Sequence, residues 1–190
     1  MPVVSTTKMT ARQFAMLGDD PPGVRLELVD GEIAVSPSPR PRHSRPDKML
    51  TRFLLNHIVE RDLGELLGDV DTIFGKHDVR RPDLIYYRKD RVHLIPGDDA
   101  LNAPPDLCVE IISPSSGIID RRDKFKQYAA GRVKFYWILD PQKRTVEAYR
   151  HTTGRYKLLA KGSKNDRVQL PPFDDLEIPL GELWLPEESN

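Results

Sequence analysis

The sequence predicts an α+β (α/β-type) fold: a mixed β-sheet flanked by a few helices, in one domain over residues 1–190 with its core between about 9 and 185. Three observations carry that expectation. Strand-like runs outnumber helical patterns. Their order departs from the regular β-α-β-α alternation of a doubly wound sheet. A chain of 190 residues is the size of one domain with a substantial core.

The elements follow in order. Met9 to Leu17 carries a threonine cap signal at Thr10 and apolar residues at 14 and 17, which predicts a short helix. Arg25–Val29 and Glu32–Val35 flank Asp30-Gly31, a strong hairpin signal. Pro37 to Pro46 reads as a proline-rich connection. Met49, Leu50, Phe53, Leu54, His57 and Ile58 then recur at helical spacing, giving a helix to about residue 62. Glu65–Phe74 and Val79–Tyr87 read as strands, with Pro82 at a position tolerated at an edge or a strand start. A charged loop spans Arg88 to Pro105. Asp106–Ile112 is the most strand-like segment, broken by Ser113-Pro114-Ser115-Ser116-Gly117. A helix from about Ile119 to Ala130 ends at Gly131. Val133–Leu139, Val146–Arg150 and Tyr156–Ala160 are further strands, and the proline-bearing tail reads as loop and short turns.

Composition narrows the class. The apolar share is 38% and the charged share 31%, as in a soluble domain with a broad charged surface. No apolar run approaches the roughly 18 residues of a membrane span, and residues 1–18 lack a signal-peptide core. The single cysteine, Cys108, agrees with a reducing compartment, so a cytoplasmic location and no membrane partner are expected. Net charge is zero, which argues against a generic tight nucleic-acid binder, but the charge is unevenly placed. Residues 40–62 and 76–91 each carry six Lys or Arg against three acids, and residues 120–134 six against two. Residues 174–188 carry six acids and no base. Local attraction of a phosphate backbone is therefore open, as is an ordinary solvated surface.

The chemistry rests on acids in apolar strands. Asp83 stands in Arg81-Pro82-Asp83-Leu84-Ile85-Tyr86-Tyr87, and 27 positions later Glu110 stands in Leu107-Cys108-Val109-Glu110-Ile111-Ile112. Strand parity puts Asp106, Cys108, Glu110 and Ile112 on one face and Leu107, Val109 and Ile111 on the other. A carboxylate in such surroundings must be paired, solvated or metal-bound. A salt bridge is the plain explanation for Glu110. Side by side with Asp83, it would instead form a hard oxygen site for Mg²⁺ or Mn²⁺.

Pro82-Asp83 followed by Glu110 resembles the motif of the PD-(D/E)xK nucleases, with Ile112 where those enzymes carry a lysine. Leu26-Glu27-Leu28-Val29-Asp30-Gly31-Glu32, Pro41-Arg42-His43-Ser44, Pro105 to Ser116, then Asp120, Lys124, Tyr128, Ala129 and Tyr136 to Pro141 resemble one branch of them. That branch is the Uma-two family of restriction-endonuclease-like proteins. The resemblance covers roughly residues 9 to 185 and rests on the order of many individually weak motifs. It implies a restriction-endonuclease-like sheet with an N-terminal hairpin and a C-terminal β extension. It also implies metal-dependent hydrolysis of DNA, with Asp83 and Glu110 holding Mg²⁺ and Lys124, on the following helix, in place of the absent lysine.

Lys126 competes with Lys124, but two positions apart on a helix only one can face the site. Tyr128, four residues on, shares the face of Lys124 and either flanks it or packs. Lys124 paired with Asp120 is the plain alternative. Glu27 falls on a family position, as a third acid or as half of a hairpin salt bridge. His43 is a phosphate ligand, a proton relay or a surface histidine. Asp106 is a reserve ligand, or a solvated residue at a strand start. Cys108 has no histidine near it in sequence and is not expected to be a nucleophile. A homodimer pairing through Thr145–Arg150 is a further expectation. A non-catalytic module that binds nucleic acid or protein, and a hydrolase of a small phosphodiester, remain alternatives.

Overall fold

A computed structural model describes residues 8–113 and 120–186. The chain begins with helix α1 (Ala11–Ala15), whose start is fixed by a capping box between Thr10 and Gln13. Ala11 and Phe14 pack on Leu28 and Val79, while Leu17, expected on the apolar face, is exposed. Strands β1 (Val24–Val29) and β2 (Glu32–Pro37) form the expected hairpin. Asp30 and Gly31 at its tip have φ of 50° and 81°, as a two-residue turn of the mirror-image type requires.

Helix α2 (Pro41–Glu60) starts inside the segment read as a proline-rich connection. Pro41 occupies the first turn, where its missing N–H has no helical partner to lose. Pro46 lies within the helix and is buried. The helix lays Leu50, Leu54 and Ile58 on the main sheet.

Two expected strands prove to be pairs. Residues 65–74 divide into β3 (Gly64–Leu67) and β4 (Thr72–Gly75), and residues 79–87 into β5 (Asp78–Arg80) and β6 (Leu84–Arg88). At each break the chain passes between sheets. Gly68, where a Cβ would stand 2.8 Å from the Asp83 carbonyl oxygen, and Asp69, with φ of 57°, form the first break. Arg81-Pro82-Asp83 forms the second, so Pro82 lies between strands rather than at the start of one. The smaller sheet has the order β2-β1-β5-β4.

The larger sheet holds β3, β6, β7 (Leu107–Ile111), β8 (Phe135–Asp140), β9 (Thr145–Thr152) and β10 (Arg155–Ser163), in the order β10-β9-β8-β7-β6-β3. Among the strands described for this sheet, β7 and β8 alone pair in parallel, and such a pair needs a crossover connection. That crossover carries a π-helical turn (Asp120–Lys124) and helix α3 (Phe125–Ala130). The expected break at 114–117 and helix start at Ile119 lie outside the described residues. The helix ends in a Schellman arrangement: Val133 N–H donates to Tyr128 C=O at 3.0 Å and Arg132 N–H to Ala129 C=O at 3.1 Å. The helix stops at Gly131, as expected, and the left-handed residue is the next one, Arg132, with φ of 61°. Gly131 serves a different need, since a Cβ there would come within 2.9 Å of Phe74.

The tail is not loop. Strands β11 (Arg167–Leu170) and β12 (Phe173–Pro179) form a hairpin whose Leu170, Phe173 and Ile178 join the core. It delivers the expected C-terminal β extension. Every residue of β7 and β8 is buried, as in a strand covered on both faces. One face carries Leu107, Val109, Trp137 and Leu139 under α2 and the tail hairpin. The other carries Cys108, Ile112, Tyr136 and Ile138 under Tyr128 and Ala129 of α3. The parity read for residues 106–112 is thus the one observed. The segment expected to offer a dimer edge is not one: β9 is hydrogen-bonded on both sides, and the outer strands are β3 and β10.

Leu54 is fully buried under α2, whereas Val59 on the same helix is 72% exposed. Leu54→Ala is expected to lower the unfolding free energy by about 2–5 kcal/mol. Val59→Ala should change it by no more than about 0.5 kcal/mol. Urea denaturation measures both, and equal losses would contradict this packing.

Candidate active site

The antiparallel register of β6 and β7 pairs Leu84 with Val109 and Ile85 with Cys108; continued by one residue, it sets Asp83 opposite Glu110. Asp83 Oδ2 accepts the Ile111 backbone N–H at 2.7 Å, which locks that relation. Both acids share the parity of Ile85 and Cys108, so both face α3. The break before β6 is what frees Asp83 from the ladder while keeping it beside β7.

From above, Lys124 closes the π-helical turn and Tyr128 lies four residues further on. Lys124 Nζ donates to Glu110 Oε2 at 2.7 Å, and Tyr128 Oη donates to Oε1 at 2.5 Å. The shared face expected for these two residues is thus used on one carboxylate. Lys126 is exposed.

Glu27 arrives from the smaller sheet. It is buried and accepts from Arg80 Nη1 at 3.1 Å and from the Arg81 backbone N–H at 2.9 Å. The plain alternative for Glu27, a hairpin salt bridge to β2, is replaced by a pair with β5. Arg80 Nε in turn donates to Gln127 Oε1 on α3 at 2.6 Å, joining the two sheets through the helix. His43, in the first turns of α2, is not a surface residue: its Nε2 lies 3.3 Å from Asp83 Oδ2. Arg25 Nη1 lies 3.6 Å from Asp83 Oδ1 and also pairs with Asp69.

Electrostatics tie the group together. Burial pushes the Asp83 carboxyl up, but His43, the Ile111 N–H and the Lys124 charge outweigh it and hold the group below its ordinary range. Burial likewise opposes ionisation of Glu27, and Lys124, Arg80 and Arg81 outweigh it, leaving that carboxyl lowered too. For His43, burial pulls the imidazole down, while the hydrogen bond and charge of Asp83, with Asp47, raise it overall. Burial and the Glu110 charge push Tyr128 well up, so it remains a hydrogen-bond donor. One lysine therefore acts on Glu27, Asp83 and Glu110 together.

Two carboxylates facing each other across adjacent strands are the hard donors that Mg²⁺ or Mn²⁺ takes. Among the described residues no three His, Cys, Asp or Glu side chains converge to hold an ion by themselves. The donor set still suits Mg²⁺, which commonly binds through one or two carboxylates and completes its shell with water and phosphate oxygens.

Asp106 and Cys108 stand apart from this group. Asp106 is buried, not solvated, and pairs with Arg91 at 2.9 Å. Cys108 is buried, and burial with the nearby Glu110 charge raises its thiol, in line with a non-nucleophilic role. Arg80, Arg25 and Gln127 carry no mark in the sequence that singles them out as partners of these acids. The available signal was Arg80-Arg81 directly before Pro82-Asp83, and Arg25 two residues from Glu27 on one strand face; neither marks a buried arginine.

The fold and this arrangement define a nuclease-like α+β domain. A model of the Uma2 family, described as "Putative restriction endonuclease", matches residues 11–181, and the chain belongs to that family. Among solved structures it is similar to a putative nuclease belonging to DUF820 from Anabaena variabilis. The two are 19% identical with a TM-score of 0.75, over 92% of this chain and 97% of that one. At that identity the likeness establishes the fold alone. No curated protein matches the chain. Among the described residues no helix is long and apolar enough to cross a membrane.

The Asp83–His43 pair has a defined pH window. Asp83, lowered from 3.8, contributes stability in full above that value and loses it as pH falls through the lowered one. His43, raised from 6.5, contributes in full below 6.5 and loses it as pH rises through the higher value. A double-mutant cycle of Asp83→Asn and His43→Gln, measured by urea unfolding in EDTA, should give the largest coupling between 3.8 and 6.5. A coupling that stays flat from about pH 3 to about pH 9 would contradict the pairing.

Proposed function

We propose that this chain is a metal-dependent endonuclease that hydrolyses DNA phosphodiester bonds. The observation that carries the reading is the convergence of Asp83, Glu110 and Lys124 in one buried cluster at the adjoining ends of β6 and β7. Asp83 and Glu110 would hold Mg²⁺ or Mn²⁺. Such an ion, when bound, lowers the pKa of water and neutralises charge on the scissile phosphate.

The remaining work falls to the chain's own side chains. Lys124 orients the attacking water or offsets the charge that develops on the phosphate, in a site where burial strengthens its effect. Tyr128, kept protonated, fixes the second oxygen of Glu110 so that the carboxylate presents a defined face. His43 holds Asp83 from the first turns of α2 and is an accessory residue. Glu27, held by Arg80, is a third acid whose charge helps position Lys124.

A second reading has its own observation. Both oxygens of Glu110 and one of Asp83 already accept hydrogen bonds from the protein. A cluster so well satisfied also suits a non-catalytic module that binds nucleic acid or protein on the same fold.

Plasmid and single-stranded DNA incubated with Mg²⁺, Mn²⁺ or EDTA separate the two. Nicking that needs the divalent ion, falls about 10²–10³-fold in Lys124→Ala and vanishes in Glu110→Gln is the expected result. DNA binding in EDTA with no cleavage by any folded variant or by wild type would favour the module.

A further inference from the structure

At the other end of the same strands lies a second polar site. Asp106 stands just before β7 and Arg88 ends β6, about 13 Å from Glu110 along β7 at about 3.3 Å per residue. Here an open cleft of about 380 Å³ is lined by Arg88, Arg91, Asp106, Arg132, Lys134 and His151, with Pro104 and Pro105 at its wall. Four permanent cations thus face one buried carboxylate.

The cleft is built rather than incidental. Asp106 anchors it: its Oδ2 lies 2.9 Å from Arg91 Nη1 and accepts the Arg88 backbone N–H at 3.1 Å. Arg91 is fixed a second time, by donation from Nη2 to Pro104 C=O at 2.7 Å. Arg88 leans between Asp106, at 3.8 Å, and the exposed Asp90, at 2.7 Å. Arg132 and Lys134 are exposed at the cleft, and no ion pair occupies either among the described residues. His151 Nε2 is buried without a hydrogen-bond partner among those residues.

Arg132 carries a further sign. It holds the left-handed position that ends α3, where glycine or asparagine is the usual occupant. The chain thus sets a charged side chain where the backbone favours a residue with none. At the helix end the carbonyls of Gln127, Tyr128 and Ala129 already accept from Gly131, Val133 and Arg132.

We infer that this cleft binds a phosphate group. Planar guanidinium forks suit its oxygens bidentately, and a lysine adds a point charge. The volume is that of a small-molecule pocket and accommodates a pyrophosphate-sized anion. It lies at the far end of the strands from the acid cluster, so its ligand need not be the nucleic acid that the cluster would cut.

The test is calorimetric titration of the full chain with pyrophosphate in EDTA at low ionic strength, where no divalent ion and no cleavage contribute. One saturable site is expected. Arg132→Gly and Lys134→Gln should each weaken it about tenfold, the loss of one charge-assisted contact. Arg132→Gly should also melt no lower than wild type, because glycine suits its backbone. Lys157→Gln, which removes an exposed lysine on β10, should bind as wild type does. No saturation up to about 10 mM would overturn the assignment. So would a loss in Lys157→Gln as large as that in Arg132→Gly. Competition by a short oligonucleotide with and without a 5′-phosphate then identifies the source. Displacement only by the phosphorylated strand assigns a nucleic-acid end, and displacement by neither assigns a free small anion; both support phosphate binding.

Discussion

The fold turns on three buried carboxylates gathered around one buried lysine. Glu27 comes from β1, Glu110 from β7 and Asp83 from the break before β6, and Lys124 reaches them from the crossover between β7 and β8. Isolated, each charge would be too costly to bury. Together they are compensated by Lys124, Arg80, His43, the Ile111 N–H and the Tyr128 hydroxyl. Each partner is delivered by a different element, so the cluster is satisfied only when both sheets, α2 and α3 are docked. The polar network therefore specifies the assembly, while the apolar layers on either face of the main sheet supply its drive.

That constraint explains features that are otherwise odd. The chain leaves the small sheet at Arg80 and enters the large one at Leu84, and the three residues between carry the backbone donor for Glu27, a proline and the acid itself. A strand continued in the small sheet would have kept Arg80 beside Glu27 but carried Asp83 away from β7 and Glu110. The π-helical turn before α3 is of the kind often found at functional sites, and it ends on the lysine that serves Glu110. At the far end of the same strands the balance inverts: one buried aspartate organises a group of cations. The sheet thus carries an acid-lined end and a base-lined end.

Much of this was legible in the sequence where local rules decide. Asp30-Gly31 specified a tight hairpin because few other dipeptides tolerate that turn. Alternation along residues 106–112 assigned the faces of β7, and four-residue spacing put Lys124 and Tyr128 together. Non-local pairing was not legible. Residues 65–74 and 79–87 have the composition of single strands, and nothing local marks where each crosses between sheets. Pro41 and Pro46 argued for a loop, but the first turn of a helix tolerates proline and tertiary burial holds the second. Arg80 and Arg25 read as two among many basic residues, since only the fold turns them towards acids. The tail hairpin was hidden by its prolines. The family resemblance named the residues that converge; which atoms meet is a property of the packing.

On the proposed reading, the acid cluster is a divalent-metal site as well as a structural one. Mn²⁺ binding to the full chain, followed by electron paramagnetic resonance near pH 7, tests it most directly. One bound ion per chain is expected, lost in Asp83→Asn and in Glu110→Gln and retained in Lys124→Met, which removes the competing charge and keeps both carboxylates. Equal Mn²⁺ binding in all three variants, or none in the wild type, would contradict it and leave the cluster as a fold-specifying network alone.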